Sequence, residues 1–354
     1  MGSEDFINRR DRILCNLDNT VNSLEQGGKE AGRVREIVEN TGQILDDLDE
    51  QFCKETGLTG TDVAFLFLAT GLQIARQYLL SNEKCRLTAS QGDKMIDKAL
   101  SLAPPDCTEV LTQSVPYDAI KTGVHVSGSG LSGTTHRYRT LGHDPILGWI
   151  FGTANIMTNS LTKTNFETWQ VKDMCIIRHY PLGVAGMLER AVSYSIDKPQ
   201  LLAVSVVRQA IHFGSDYFTK QGLPVPVIAT VDNALAQKML SKWHIDMWSI
   251  TRGMALAAFI NQLIAFMHQL FCTGTTEMEH KLYEVRTRKI LSYSNLIATS
   301  SNVAVVAITK DMQKLDVGGM AVTIYRLITD VKFIREMKEE FIFGRYRDII
   351  NKTE

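Results

Sequence analysis

The chain has 354 residues, enough for two domains or one large one, and 44% hydrophobic with 22% charged content is the composition of a folded protein, not a disordered one. A formal net charge of −1 removes the global field that would gather the chain on nucleic acid or anionic lipid. Six scattered cysteines without a C-x-x-C pair argue against a disulfide scaffold, and a charged N-terminus (Glu4, Asp5, Arg9, Arg10, Asp11) argues against a secretory signal, so the expected location is the cytoplasm.

Residues 1–56 read as a coiled-coil-like αα-hairpin. Leu14, Leu17, Val21 and Leu24 step by 3, 4 and 3, Gly27-Gly28 supplies a turn, and Val34, Ile37, Leu45, Leu48 and Phe52 resume the seam. Residues 57–121 read as helical. Thr59 and Asp62 have capping-box spacing and open a helix running to about Leu80, while Ser90 and Asp93 open another that Pro104-Pro105 stops. Residues 122–354 read as the main helical body, opened by a Gly/Ser/basic loop. Asp144-Pro145 gives an N-cap followed by proline at the first helical position. Gly222–Pro226 is a connector, and Val317, Met320, Ile324, Leu327, Ile328, Val331 and Ile334 mark a long closing helix. Short strands are expected, if anywhere, at Val124–Val126 and Val303–Ile308, where β-branched residues cluster. The fold class is mostly α, with few or no short strands.

The loop before Asp144 carries the densest chemistry. Gly128, Gly130 and Gly133 match G-x-G-x-x-G, but the apolar segment before them is only Val124–Val126, Thr134–Thr140 after them is basic and polar, and no acidic residue follows at the distance a dinucleotide fold requires. His136, Arg137, Arg139 and His143 then crowd against the helix start at Asp144. Two arginines at a helix N-terminus form a candidate anion site for a phosphorylated small molecule. His143-Asp144 also spells the adjacent pair of HD-type metal phosphohydrolases, which would need partners from other helices such as His179, His212, Asp216 or His268. Capping explains Asp144 without a metal, so no metal ligand is assigned and no cofactor is named. The chain holds no G-x-S-x-G, no P-loop and no nucleic-acid patch of useful size.

Pro145–Thr162, Gly253–Thr276 and Ile290–Thr309 contain no charge at all. Gly148 and Gly152 form G-x-x-x-G in the first, which permits close helix packing in water or lipid. In the second, Asn261, Gln262, His268 and Gln269 fall on one helix face. That stripe favours burial in a soluble core over a lipid-facing span. The blocks Leu141–Thr158 and Glu284–Asn295 resemble parts of bacterial proteins of similar length that carry no family name, and the resemblance implies no activity. The leading expectation is a helical protein that self-associates or binds a protein partner. The alternatives are an enzyme or sensor holding a phosphate or nucleotide ligand at 128–144, and a membrane-active effector exposing its charge-free helices.

Overall fold

A computed structural model describes residues 3–79, 91, 94, 113–124, 126 and 128–351. The helix expected between Ser90 and Pro104 and part of the strand expected at 124–126 lie outside them. Among the described residues the protein is mostly helical. Its helices are α1 (Ser3–Glu39), α2 (Thr41–Glu55), α3 (Gly60–Leu79), α4 (His136–Arg139), α5 (Gly148–Thr158), α6 (Gly183–Asp197), α7 (Pro199–Phe218), α8 (Ile228–Val231), α9 (Asn233–Gln237), α10 (Met247–Gln269), α11 (Glu277–Thr309) and α12 (Val317–Asn351). Four short strands are β1 (Lys121–Thr122), β2 (Ser160–Thr162), β3 (Thr168–Lys172) and β4 (Cys175–His179).

Two compact units form. The first is Met1–Ala69, Leu263–Ser294 and Tyr325–Glu354, and the second is Thr70–Gln262 with Asn295–Ile324. In the first unit the chain does not reverse at Gly27-Gly28. The helix α1 runs straight through both glycines, which cost about 1 kcal/mol each in a helix but do not break one embedded in helix-forming sequence. The break comes at Asn40, and the seam finds its partner in the far end of α12. Arg33 donates to Ile349 O (2.9 Å), Thr41 Oγ1 meets Tyr346 Oη (2.9 Å), Asp49 pairs with Lys338, and Phe52 packs on Phe341 at 5.7 Å. Those rising and falling numbers describe an antiparallel pair. Upstream, Leu14, Leu17, Val21 and Leu24 remain exposed. The capping box forms as spelled: Thr59 N–H donates to Asp62 Oδ2 (2.8 Å) and Asp62 N–H to Thr59 Oγ1 (3.3 Å).

In the second unit the strands make one sheet in the order β1-β4-β3-β2, parallel between β1 and β4 and antiparallel elsewhere, with a bulge at Gln170/Val171. The β3–β4 hairpin turns through Asp173 and Met174, both at positive φ. Its inner face gives Leu161, Trp169, Val171 and Ile176 to a core shared with Val115, Tyr117, Leu131 and Ile156 of α5. Val303–Ile308, expected as a strand, lies inside α11, because β propensity yields to the helical register on either side. The G-x-x-x-G of α5 packs on α7. A Cβ at Gly148 would clash with Phe213 and one at Gly152 with Gln209.

Candidate metal centre

The helix α7 supplies the foundation. Ser205, Gln209, His212 and Asp216 fall on one helical face by their spacing of three and four, and that face is turned inward. Arg208, one residue before Gln209, donates to Gln113 O (2.7 Å) and to Ser114 O. Gln209 accepts from Tyr117 Oη (2.6 Å) and donates to Gly142 O (2.8 Å). The helix thereby clamps two segments distant in sequence: the turn Pro116–Asp118 and the loop ending at His143. The Tyr117 ring stands edge-on to His143 and His212 at 5.0 and 5.3 Å.

These contacts bring Asp118, His143 and His212 together. His143 Nε2 lies 2.9 Å from Asp118 Oδ1 and 3.3 Å from His212 Nε2, and His212 Nε2 lies 3.7 Å from Asp118 Oδ1. Ligands on bonds of about 2.1 Å at tetrahedral angles stand about 3.4 Å apart, so these three atoms have the edges of one face of a coordination shell. All three converge within 4.8 Å. Asp216 Oδ2 flanks them, 3.2 Å from His212 Nε2 and 3.5 Å from His143 Nε2, and His136 Nε2 stands 3.7 Å from Asp118 Oδ1.

The outer hydrogen bonds decide which imidazole nitrogens face inward as lone pairs. Thr140 Oγ1 donates to His136 O (2.9 Å), so it accepts from His143 Nδ1–H (2.7 Å). His136 Nδ1–H donates to Ser132 O (3.1 Å), a carbonyl that can only accept. Both Nε2 atoms are thus unprotonated in the neutral rings, and both are directed at a carboxylate oxygen. That is repulsive unless a proton or a metal cation lies between them. Histidines that ligate metals are held in this way, the far N–H on a carbonyl or hydroxyl. Asp118 Oδ1 and Asp216 Oδ2 are themselves buried without a hydrogen bond that meets distance and angle.

The electrostatics agree. Burial pushes His143 down to about 4, against the opposing pull of Asp118 and Asp216, so it is neutral at pH 7. His212 is raised to about 9: burial opposes this, but Asp216 and Asp118 outweigh it. Burial likewise opposes the ionisation of Asp118, and His212, His143 and His136 together hold it well below the usual carboxylate range. Asp216 is lowered in the same manner by His212, His143 and Arg137. At pH 7 the His212 imidazolium and the Arg137 guanidinium balance the Asp118 and Asp216 carboxylates, so a cation bound by His212 would displace its proton and leave one guanidinium against two carboxylates. Asp118 (side chain 27% exposed) and His212 (17%) form the open side, with His143 and Asp216 at the base.

Of the residues singled out from the sequence, His136 and His143 reach this centre, whereas Gly128, Gly130 and Gly133 lie on exposed loop away from it. Arg137 is engaged by Asp216 (2.7 Å), Thr219 (3.0 Å) and Gly222 O (3.2 Å). It orients the Asp216 carboxylate, and Arg137→Ala is expected to weaken metal binding about 10- to 100-fold in a competition titration. Arg139 donates to Gly130 O (2.7 Å) and pins the loop. Asp144 points away from the centre and accepts from Ile146 N (3.0 Å), Leu147 N (2.9 Å) and Val227 N (2.5 Å). Asp144→Ala should therefore cost about 2 kcal/mol in denaturant unfolding, with metal content unchanged. His179 stacks on Trp169 at 3.6 Å, and His268 pairs with Asp62 (2.7 Å) and Thr287 (2.8 Å) in the first unit. Asp118 had no sequence signal; the spacing of His212 and Asp216 by one helical turn was the legible half of the centre.

The second unit also holds a cavity of about 490 Å³ lined by Arg76, Lys220, His244, Arg252, Lys314 and Asp316. Its Arg76 is engaged by Asp316 (2.6 Å) and Gln73 (2.7 Å), and no ligand triad converges there. No family model, no curated protein and no solved structure matches the chain.

Proposed function

We propose that the protein is a metal-dependent hydrolase whose divalent cation is held by Asp118, His143 and His212. The observation that carries this reading is the inward lone pair of His143, fixed by Thr140 and set 2.9 Å from a buried carboxylate oxygen. Two imidazoles and one carboxylate leave coordination positions open for water and substrate, and a bound divalent cation brings the pKa of its water to about 7. Asp216, kept ionised beside Arg137, is placed to take the proton that the attacking water loses; the departing alcohol or phosphate oxygen takes a proton in turn. His136 stands at the open side as a further ligand or as hydrogen-bond partner to substrate.

This reading keeps the expectation of a ligand at residues 128–144 but assigns the work to the loop's histidines instead of its arginines. The direct test is to load purified protein with Zn²⁺, Mn²⁺ or Fe²⁺ and assay p-nitrophenyl phosphate, bis-p-nitrophenyl phosphate and p-nitrophenyl acetate. Turnover that stops with chelator and returns with metal is the expected result. The same triad suits Fe²⁺. Oxygen consumption with Fe²⁺ and no hydrolysis under any metal would overturn the hydrolase reading.

A second reading rests on a separate observation. The seam Leu14, Leu17, Val21 and Leu24 is more than half exposed at every position and is covered by nothing among the described residues. An isolated helix with such a stripe is marginal in water, and pairing with a second copy covers it. Leu17→Glu with Val21→Glu is expected to lower the mass seen in light scattering, with helical content otherwise retained. An unchanged mass would remove the case for assembly through α1.

A further inference from the structure

The charge-free helices bury polar side chains beside apolar ones and leave large apolar side chains outside. On α10 the inward residues include Ala257, Asn261 (4% exposed), Ile264 and His268 (0%), while Phe259 and Phe266 point outward and are about two-thirds exposed. Only 17% of the most apolar window of α10 is buried, although its mean hydropathy is 1.4. On α11 the buried positions include Ser292, Ser294, Asn295 and Asn302, whereas Leu296, Ile297 and Ile308 are exposed. The α12 helix repeats the arrangement, with Thr323 and Asp330 buried and Ile324 and Ile328 exposed. Folding in water drives the opposite sorting.

Most of the inward polar groups bond to one another, Asn261 Nδ2 being buried without a partner. In the second unit Asn295 donates to Asn261 Oδ1 (2.7 Å), and Gln73 donates to the same oxygen (3.0 Å) and to Ala257 O (3.1 Å). In the first unit His268 bridges Asp62 (2.7 Å) and Thr287 (2.8 Å), and Tyr283 Oη donates to His268 O (2.7 Å). Within each unit, then, a polar side chain of α10 bonds to one of α11. Side chains that hydrogen-bond across helices while apolar side chains face out are the arrangement a hydrocarbon solvent selects, because an unsatisfied polar group there costs several kcal/mol.

We propose that α10 and α11 lie within a lipid bilayer, their exposed apolar faces against acyl chains. Length supports lipid over a protein partner. The charge-free run Ile290–Thr309 on α11 has 20 residues between Lys289 and Lys310, or about 30 Å of helix, close to the hydrocarbon thickness of a bilayer. On α10 the charge-free part runs from Gly253 to the helix end at Gln269, at the short end of what crosses a bilayer. A protein partner would cover one patch with a polar rim; here three successive helices each turn polar side chains inward. Of the polar stripe of α10, Asn261 and His268 face into the protein while Gln262 and Gln269 are exposed, so the stripe leaves the apolar side chains Phe259 and Phe266 outward.

The test is fractionation of cells expressing the full chain, followed by a wash with alkaline carbonate. The protein should stay in the membrane pellet after carbonate and be released by dodecyl maltoside. Phe259→Glu with Phe266→Glu, charges placed outward on α10, should cut the membrane-retained fraction at least tenfold, and Asp144→Asn, remote from these faces, should leave it unchanged. Recovery in the carbonate supernatant would overturn the proposal. So would a detergent-free soluble oligomer whose mass falls on the Phe259/Phe266 double substitution, since that would assign the apolar face to a second copy. Neither result depends on metal content, so the hydrolase reading stands or falls separately.

Discussion

Alanine in place of His143 is expected to strip the proposed cation and lower kcat/KM by on the order of 10³-fold, because it removes the most deeply buried of the three proposed ligands. His212→Ala should do the same. Both are compared with His179→Ala, whose ring stacks on Trp169 and touches no member of the centre. Inductively coupled plasma mass spectrometry reads metal content, and hydrolysis of the best p-nitrophenyl ester reads activity. Asp118→Asn should retain the fold, since the turn that carries Asp118 is held by Arg208 and by the Tyr117–Gln209 bond, yet lose most of the metal. Full metal content in His143→Ala would show that the cation sits elsewhere.

The second large effect is structural and reaches the site through packing. A Cβ on Gly142 would clash with Tyr117 Cγ, the root of the ring, where the side chain has no freedom to swing aside. Tyr117 is fully buried and bonded to Gln209, so the strain passes to the helix face bearing His212 and Asp216. Gly142→Ala is expected to cost about 3 kcal/mol and to weaken metal binding in whatever fraction remains folded. Chemical denaturation with and without Zn²⁺ measures both. A variant as stable as the parent, with the same metal-induced stabilisation, would mean that Tyr117 does not brace the centre.

Local signals in the sequence were good guides to local structure. Thr59 and Asp62 spelled a capping box and form one, whereas Asp144, expected as an N-cap before Pro145, accepts three backbone N–H groups in a turn and the helix opens only at Gly148, with Leu147 at its N-cap. The loop between Gly128 and Asp144 stood out by composition and does deliver His136 and His143. What the sequence could not show was convergence. Asp118 lies in a plain Pro-Tyr-Asp turn, and only the reach of Arg208 and Gln209 across more than 90 positions carries it to the histidines. The short strands escaped because Thr168–Lys172 and Cys175–His179 are too brief for a period-two pattern to separate from noise, while the β-branched run at Val303–Ile308 was absorbed into a helix. Periodicity also gave the polar face of α10 without saying which way that face turns. Direction is a property of packing, not of spacing.

The central claim is that Asp118, His143 and His212 hold a divalent cation. The most direct measurement is the metal content of the purified full chain by plasma mass spectrometry, taken beside His143→Ala, His212→Ala and His179→Ala. About one equivalent of a transition metal in the parent and in His179→Ala, and close to none in the other two, is the expected result. A parent protein that takes up no divalent cation after incubation with Zn²⁺, Mn²⁺ and Fe²⁺, or that keeps it through both substitutions, would contradict the account.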